Sequence, residues 1–163
     1  MFHIKSALYR NSSSLSALSA FSVKSMINPI ENPKSKIENS SMVDRVIKTG
    51  DGWRLGWNPD AAEFQGLVGG DGWAIELTEA ELNDFCRLLA QLAATMSEMA
   101  SELMDQEKIA IEAESDLVWI EVEGYPQAYS VQLILSGGRR CEGFWPAAAE
   151  PGLVQAAKVL KVF

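Results

Sequence analysis

Four carboxylates and one indole offer the richest chemistry in this chain. Glu112, Glu114, Glu121 and Glu123 flank Ser115-Asp116 at spacings of two, with Trp119 between the pairs. On neighbouring strands such residues project together. Paired carboxylates do acid–base work or hold a hard cation. No Gly-rich ligand loop accompanies these four, so the same set also reads as a solvated outer face. A tryptophan beside carboxylates suits a protein interface; its alternative place is beneath a second sheet or a helix. Arg139-Arg140, following Gly137-Gly138, is the only basic pair after residue 42. Such a pair holds a phosphate, or it solvates a hairpin end and guards an edge strand against aggregation.

Other chemistry is missing from the same stretch. The single histidine is His3. A Ser-His-Asp or Cys-His site needs an imidazole to take the proton, and zinc needs Cys or His in quantity. Cys86 and Cys141 both fall at apolar positions and read as buried, reduced thiols, with a regulatory disulfide as the alternative. There is no P-loop, GxGxxG or HExxH. Gly66, Gly69, Gly70 and Gly72 join two strands without opening a helix, which favours a hairpin turn over a phosphate cradle. The sequence therefore predicts no catalytic residue, no metal ligand and no cofactor.

These side chains need elements to position them. Trp53, Leu55 and Trp57 alternate with polar or small residues, the period of a strand. Phe64 to Val68 and Trp73 to Leu77 predict two more, joined by Gly69-Gly70-Asp71-Gly72, and Val43 to Thr49 adds a short one in front. The period then changes. Thr78-Glu79-Ala80-Glu81 is a capping box. Leu82, Phe85, Leu89, Leu92, Met96, Met99 and Leu103 follow at spacings of three and four, with polar residues from Asp84 to Asp105 opposite. This predicts a long amphipathic helix. Strands resume around a two-residue turn at Ser115-Asp116, pairing Ala113 with Val118, Ile111 with Ile120 and Ile109 with Val122. Lys108 then lies opposite Glu123. Tyr129 to Leu135 and Arg139 to Trp145 form the next hairpin. Pro151 opens a last helix, with Val154, Ala157 and Leu160 on its buried stripe and Phe163 anchoring the end. The order strands–helix–strands–helix predicts an α+β fold with antiparallel sheets.

Composition divides the chain near residue 43. Residues 1–42 carry five basic and two acidic side chains, are rich in serine, and hold no acid in the first thirty positions. This is the composition of a transit peptide and linker, more plastid-like than mitochondrial; a secretory signal and an untargeted tail are the alternatives. Residues 43–163 read as one domain with nine basic and twenty acidic side chains. A field this negative repels phosphate backbones. Past the leader, no run is long enough to span a bilayer.

The segments GDGWRLGWNPDAAEFQGLVGGDGWAIELTEAELNDFCRLL, AESDLVWIEVEG and the terminal KVF resemble a small uncharacterised family of cyanobacterial and plastid proteins, over Gly50 to Phe163. That family is similar in fold to the Whirly-type single-stranded-DNA-binding regulators, in which two antiparallel four-stranded sheets are each followed by a helix. The resemblance implies that fold, and single-stranded nucleic acid as a candidate ligand. It also implies that the long helix can carry a homo-oligomer, although one internal core explains its stripe equally well. No Lys-rich segment matches the Whirly contact motif, and fold does not carry function by itself.

The favoured expectation is a non-enzymatic binding module of the chloroplast stroma, docking a basic or amphipathic protein through Trp119, Glu112, Glu114, Glu121 and Glu123. The alternative is a transcription-related single-stranded nucleic-acid binder using sheet aromatics with Arg139 and Arg140, disfavoured by the acidic charge. A carboxylate-based enzyme or metal-dependent protein is the third reading.

Overall fold

Alternation at Trp53-Arg54-Leu55-Gly56-Trp57 buries Leu55 and Trp57 and leaves Arg54 on the opposite face, starting a sheet that repeats the pattern strand by strand. The computed structural model describes residues 44–102 and 107–160. The leader, Val43, Leu103, Asp105 and Phe163 lie outside them. Strands β1 (Val46–Gly50), β2 (Trp53–Trp57), β3 (Gly66–Gly70) and β4 (Trp73–Leu77) form one antiparallel sheet in chain order. Helix α1 (Glu79–Met99) follows. Strands β5 (Ile109–Glu114), β6 (Val118–Tyr125), β7 (Ala128–Leu135) and β8 (Glu142–Trp145) form a second four-stranded antiparallel sheet, and α2 (Glu150–Val159) comes last. The fold is α+β, with two sheets and two helices.

Both tight turns in the first sheet use the same four residues, Gly50-Asp51-Gly52-Trp53 and Gly70-Asp71-Gly72-Trp73. Gly52 and Gly72 take φ of 75° and 78°. That region costs a residue with a Cβ about 1 kcal/mol or more, so glycine belongs there. β3 begins and ends two residues later than the predicted strand. Phe64 and Gln65 belong to the preceding loop, where Gln65 Nε2 donates to the Ala61 carbonyl at 2.9 Å. Gly69 and Gly70 are not turn residues; they pair with Ala74 and Trp73 of β4.

The capping box forms. Thr78 Oγ1 accepts from the Glu81 amide at 3.3 Å, and the Glu81 carboxylate accepts from the Thr78 amide at 2.8 Å. Leu82, Phe85, Leu89, Leu92 and Met96 are buried along one stripe. The helix stops at Met99, short of the predicted end. Its last turn holds no basic residue, and Glu98 and Glu102 stand at the negative end of the helix dipole. Ser101 Oγ meanwhile donates to the Glu98 carbonyl at 2.7 Å, drawing the chain into a turn.

The β5–β6 pairing differs from expectation by two residues. Ala113 faces Ile120, Ile111 faces Val122 and Ile109 faces Gly124. The reason is Ser115, whose Oγ accepts from the amides of Leu117 and Val118 at 3.2 and 3.1 Å and holds a wider loop than two residues. A slip of two leaves every side chain on its expected face. The Lys108–Glu123 pair does not form. Glu123 faces Ala110, and Lys108 Nζ lies 5.8 Å above the Tyr125 ring.

α1 packs on β5 and β6 and on β3 and β4; α2 packs on β2 and β7 and against α1. The core therefore fills from both sheets and both helices. Trp145 completes it: fully buried, its ring packs at a tilt against Trp73 and Phe85, with centroids 4.9 and 5.7 Å away. Its Nε1 donates to the Gly69 carbonyl at 2.8 Å, a bond from the second sheet to the first. On α2, Val154, Ala157 and Leu160 are buried as the spacing predicts, joined by Leu153 and Ala156.

Candidate functional site

Along β6, Val118, Ile120 and Val122 point into the core, so Trp119, Glu121, Glu123 and Tyr125 must point out. Pairing extends this outer face across the sheet. Glu114 lies opposite Trp119, Glu112 opposite Glu121, Trp119 opposite Ile134 and Glu121 opposite Gln132. On β8, Phe144 faces Gln132 and Glu142 faces Ile134. All four expected glutamates thus share one face with Trp119, as their spacing predicts. Trp119 is not covered by the other sheet or by a helix; its half-buried indole donates from Nε1 to Glu112 Oε2 at 3.2 Å.

The electrostatics of this face are predominantly acidic, with Lys108 over Tyr125 at its margin. Strands β5 to β8 contain no lysine or arginine, and Glu112 and Glu121 stand directly opposite. Like charges so placed repel. The Glu121 carboxyl is held above its ordinary 4.5, first by partial burial and then by Glu123 and Glu112. Among these acids lie apolar groups, with Phe144 at 54% and Tyr125 at 38% exposure. Sequence reasoning missed Glu142, Phe144 and Gln132. Their signal was the alternation of Glu142 and Phe144 with Gly143 and Trp145, which fixes a face once the strand is paired.

Arg139 and Arg140 are placed differently from the expected pair. Neither lies in β8, because Arg140 adopts a φ of 46° that interrupts an extended strand. The Arg139 guanidinium bonds to the Glu81 carboxylate, donates to the Glu76 carbonyl at 2.6 Å, and lies 4.6 Å over the Phe64 ring. It fastens the β7–β8 loop to the start of α1. Arg140 is exposed in the turn.

The remaining candidates lie in the core or in no cluster. Cys86 and Cys141 are free thiols, each half-buried at the margin of the core rather than fully buried as expected, and burial pushes Cys86 up to about 12. Glu150 is a buried acid in the first turn of α2, near Tyr129; burial raises both groups above their ordinary values. Among the described residues no cluster of three or more His, Cys, Asp or Glu has the geometry to hold a metal ion. No described helix is long and apolar enough to cross a membrane. Leu82, Phe85, Leu89, Leu92 and Met96 of the α1 stripe are buried against the chain's own elements.

Two four-stranded antiparallel sheets, one with an acidic and aromatic outer face, and two helices define an α+β protein. The chain belongs to the DUF1818 family, a domain of unknown function, matched over residues 48–160. It is similar to a solved structure of a protein of unknown function, from the DUF155 family of Prochlorococcus sp. NATL2A. The two are 28% identical with a TM-score of 0.66, covering 69% of this chain and 96% of the other. No curated protein matches it.

Proposed function

We propose that this chain is a non-enzymatic binding module that docks a basic or amphipathic protein through the outer face of β5–β8. One observation carries the reading: Glu114 pairs with Trp119, Glu112 bonds its indole, and Glu121 and Glu123 follow it along the same face, with no lysine or arginine on any strand of that sheet. A basic partner would relieve the repulsion and bury the aromatic rings together, the usual anatomy of an interface anchor. The serine-rich, acid-poor leader supports a plastid stromal location, with which a cyanobacterial structural neighbour is loosely compatible. Two four-stranded sheets, each followed by a helix, support the likeness to Whirly-type regulators. The outer face weighs against their ligand, because a groove that follows a nucleic-acid backbone needs clustered Lys and Arg.

The test is affinity capture of organelle proteins by wild type and by a Trp119→Ala/Glu121→Gln variant, followed by a direct titration with each purified candidate. Binding of a basic protein that weakens with added salt and is lost in the variant supports the reading. Unchanged recovery by the variant overturns it. A filter-binding titration against single-stranded homopolymers at low salt checks the nucleic-acid alternative. Retention there, reduced by Arg140→Ala, would replace the protein partner with a polynucleotide.

A further inference from the structure

We infer that a cleft between β4 and β8 is an arginine-side-chain pocket and supplies the anchor point for the basic partner. This deepens the docking proposal and rests on it for the identity of that partner. The cleft has a volume of about 300 Å³ and is lined by Trp73, Gln132, Glu142, Gly143 and Phe144. It opens at the edge of the second sheet, where β8 abuts β3 and β4 of the first. Gly143 makes room for it. A Cβ there would sit 2.5 Å from Trp73 Cη2, so only glycine lets the indole lie against the strand.

The lining groups match one chemical class. Trp73 is held in place by Trp145, 4.9 Å away, and stays half exposed. Phe144 is 54% exposed. Aromatic faces attract cations, and a planar guanidinium stacks on them better than an ammonium does. Glu142 has no ion-pair partner among the described residues, which leaves its carboxylate free for a bidentate pair with arginine. The Gln132 amide oxygen is a further acceptor. Neither Arg139 nor Arg140 lines the cleft, and Arg139 is bound to Glu81.

The strand edge adds acceptors of its own. The Leu135 amide donates to the Cys141 carbonyl at 2.9 Å. Antiparallel alternation then turns the backbone groups of Glu142 and Phe144 away from β7, toward the cleft side of the sheet. Those carbonyls are open to a donor-rich head group. With the chain at a formal net charge of −8, long-range attraction favours a cation and disfavours an anionic ligand.

The experiment titrates full-length protein with a short capped peptide containing one arginine, and with matched peptides containing citrulline or lysine. The readout is the indole N–H resonance of Trp73. The arginine peptide should shift it, the lysine peptide should bind more weakly, and the neutral citrulline peptide should leave it unmoved. Glu142→Gln and Phe144→Ala, both on the surface, should each weaken arginine binding about tenfold or more, with unchanged thermal melting as the folding control. A response to citrulline equal to that for arginine, or full binding by Glu142→Gln, overturns the pocket. The two proposals separate cleanly. Partner capture lost in Trp119→Ala/Glu121→Gln without any arginine-peptide binding leaves the face and removes the pocket. Arginine-peptide binding with partner capture unaffected by that variant does the reverse.

Discussion

The two sheets share strand number, order and direction, yet their sequences serve different ends. The first is built from five-residue strands in which glycines face tryptophans. Trp53 lies so close to Gly50 and Gly152 that a Cβ on either would fall within 2.4 Å of its Nε1. Trp73 sits likewise between Gly70 and Gly143. The outer face of that sheet carries little charge, and its one arginine, Arg54, donates to the Gly70 carbonyl at 3.2 Å. The second sheet has two eight-residue strands, β-branched and leucine side chains inside, and glutamates with aromatics outside. The first sheet directs its aromatics inward to packing. The second leaves its acids and three rings exposed or half exposed. Equal topology thus separates a structural sheet from a candidate docking sheet.

The sharpest way to break that comparison is to remove the residue that ties the sheets together. Trp145→Ala empties a fully buried site and deletes the Nε1 bond to Gly69. A loss of about 3–5 kcal/mol is expected in urea unfolding. Trp145→Phe keeps most of the volume and isolates the hydrogen bond, at a cost of about 1 kcal/mol. A near-zero cost for both would mean that the sheets do not depend on this contact.

Next in size is the close approach in the first sheet. Gly152→Ala places a methyl 2.3 Å from Trp53 Nε1, so the indole must move and overpacking should cost about 1–3 kcal/mol. Gly72→Ala meets no atom within 4 Å but forces alanine to a φ of 78°. That isolates backbone strain, expected at about 1 kcal/mol. A larger penalty at Gly72 than at Gly152 would show that the turn conformation, not the ring packing, selects the glycines.

Much of this organisation was legible from residue order. Thr78 and Glu81 specified the start of α1, because a capping box is local chemistry. Alternation assigned Glu112, Glu114, Trp119, Glu121 and Glu123 to one face even though the register was displaced, since faces repeat every two residues and a slip of two is invisible to them. The register itself was not legible, because it turned on a single hydroxyl at Ser115 choosing the amides of Leu117 and Val118. The role of Arg139 was hidden for a different reason. Its partner, Glu81, is 58 residues away and had already been assigned to the helix cap. The cleft was equally out of reach: Trp73 and Phe144 come from different sheets, and no periodicity links them. The doubled Gly-Asp-Gly-Trp was not read as a repeat; the structure shows that it marks the two turns that deliver the half-buried rings of Trp53 and Trp73.

The smallest expected effect bears most directly on the docking sheet. Because burial first, and Glu123 and Glu112 after it, raise the Glu121 carboxyl above 4.5, the folded chain binds that proton more readily than the unfolded one. Stability from this group is then highest at low pH, falls as pH rises from about 4.5 through the folded value, and stays lower near neutrality. Glu121→Gln removes the penalty, so the variant should gain relative to wild type near neutral pH and lose that advantage near pH 4. The gain belongs within about 0.5 kcal/mol, the scale of a surface change. Glu112→Gln should move the Glu121 titration, followed by carboxyl NMR, back toward 4.5. An unmoved titration would mean that burial alone holds it up. The repulsion invoked for docking would then be too weak to favour a cationic partner, even with Trp119 correctly placed.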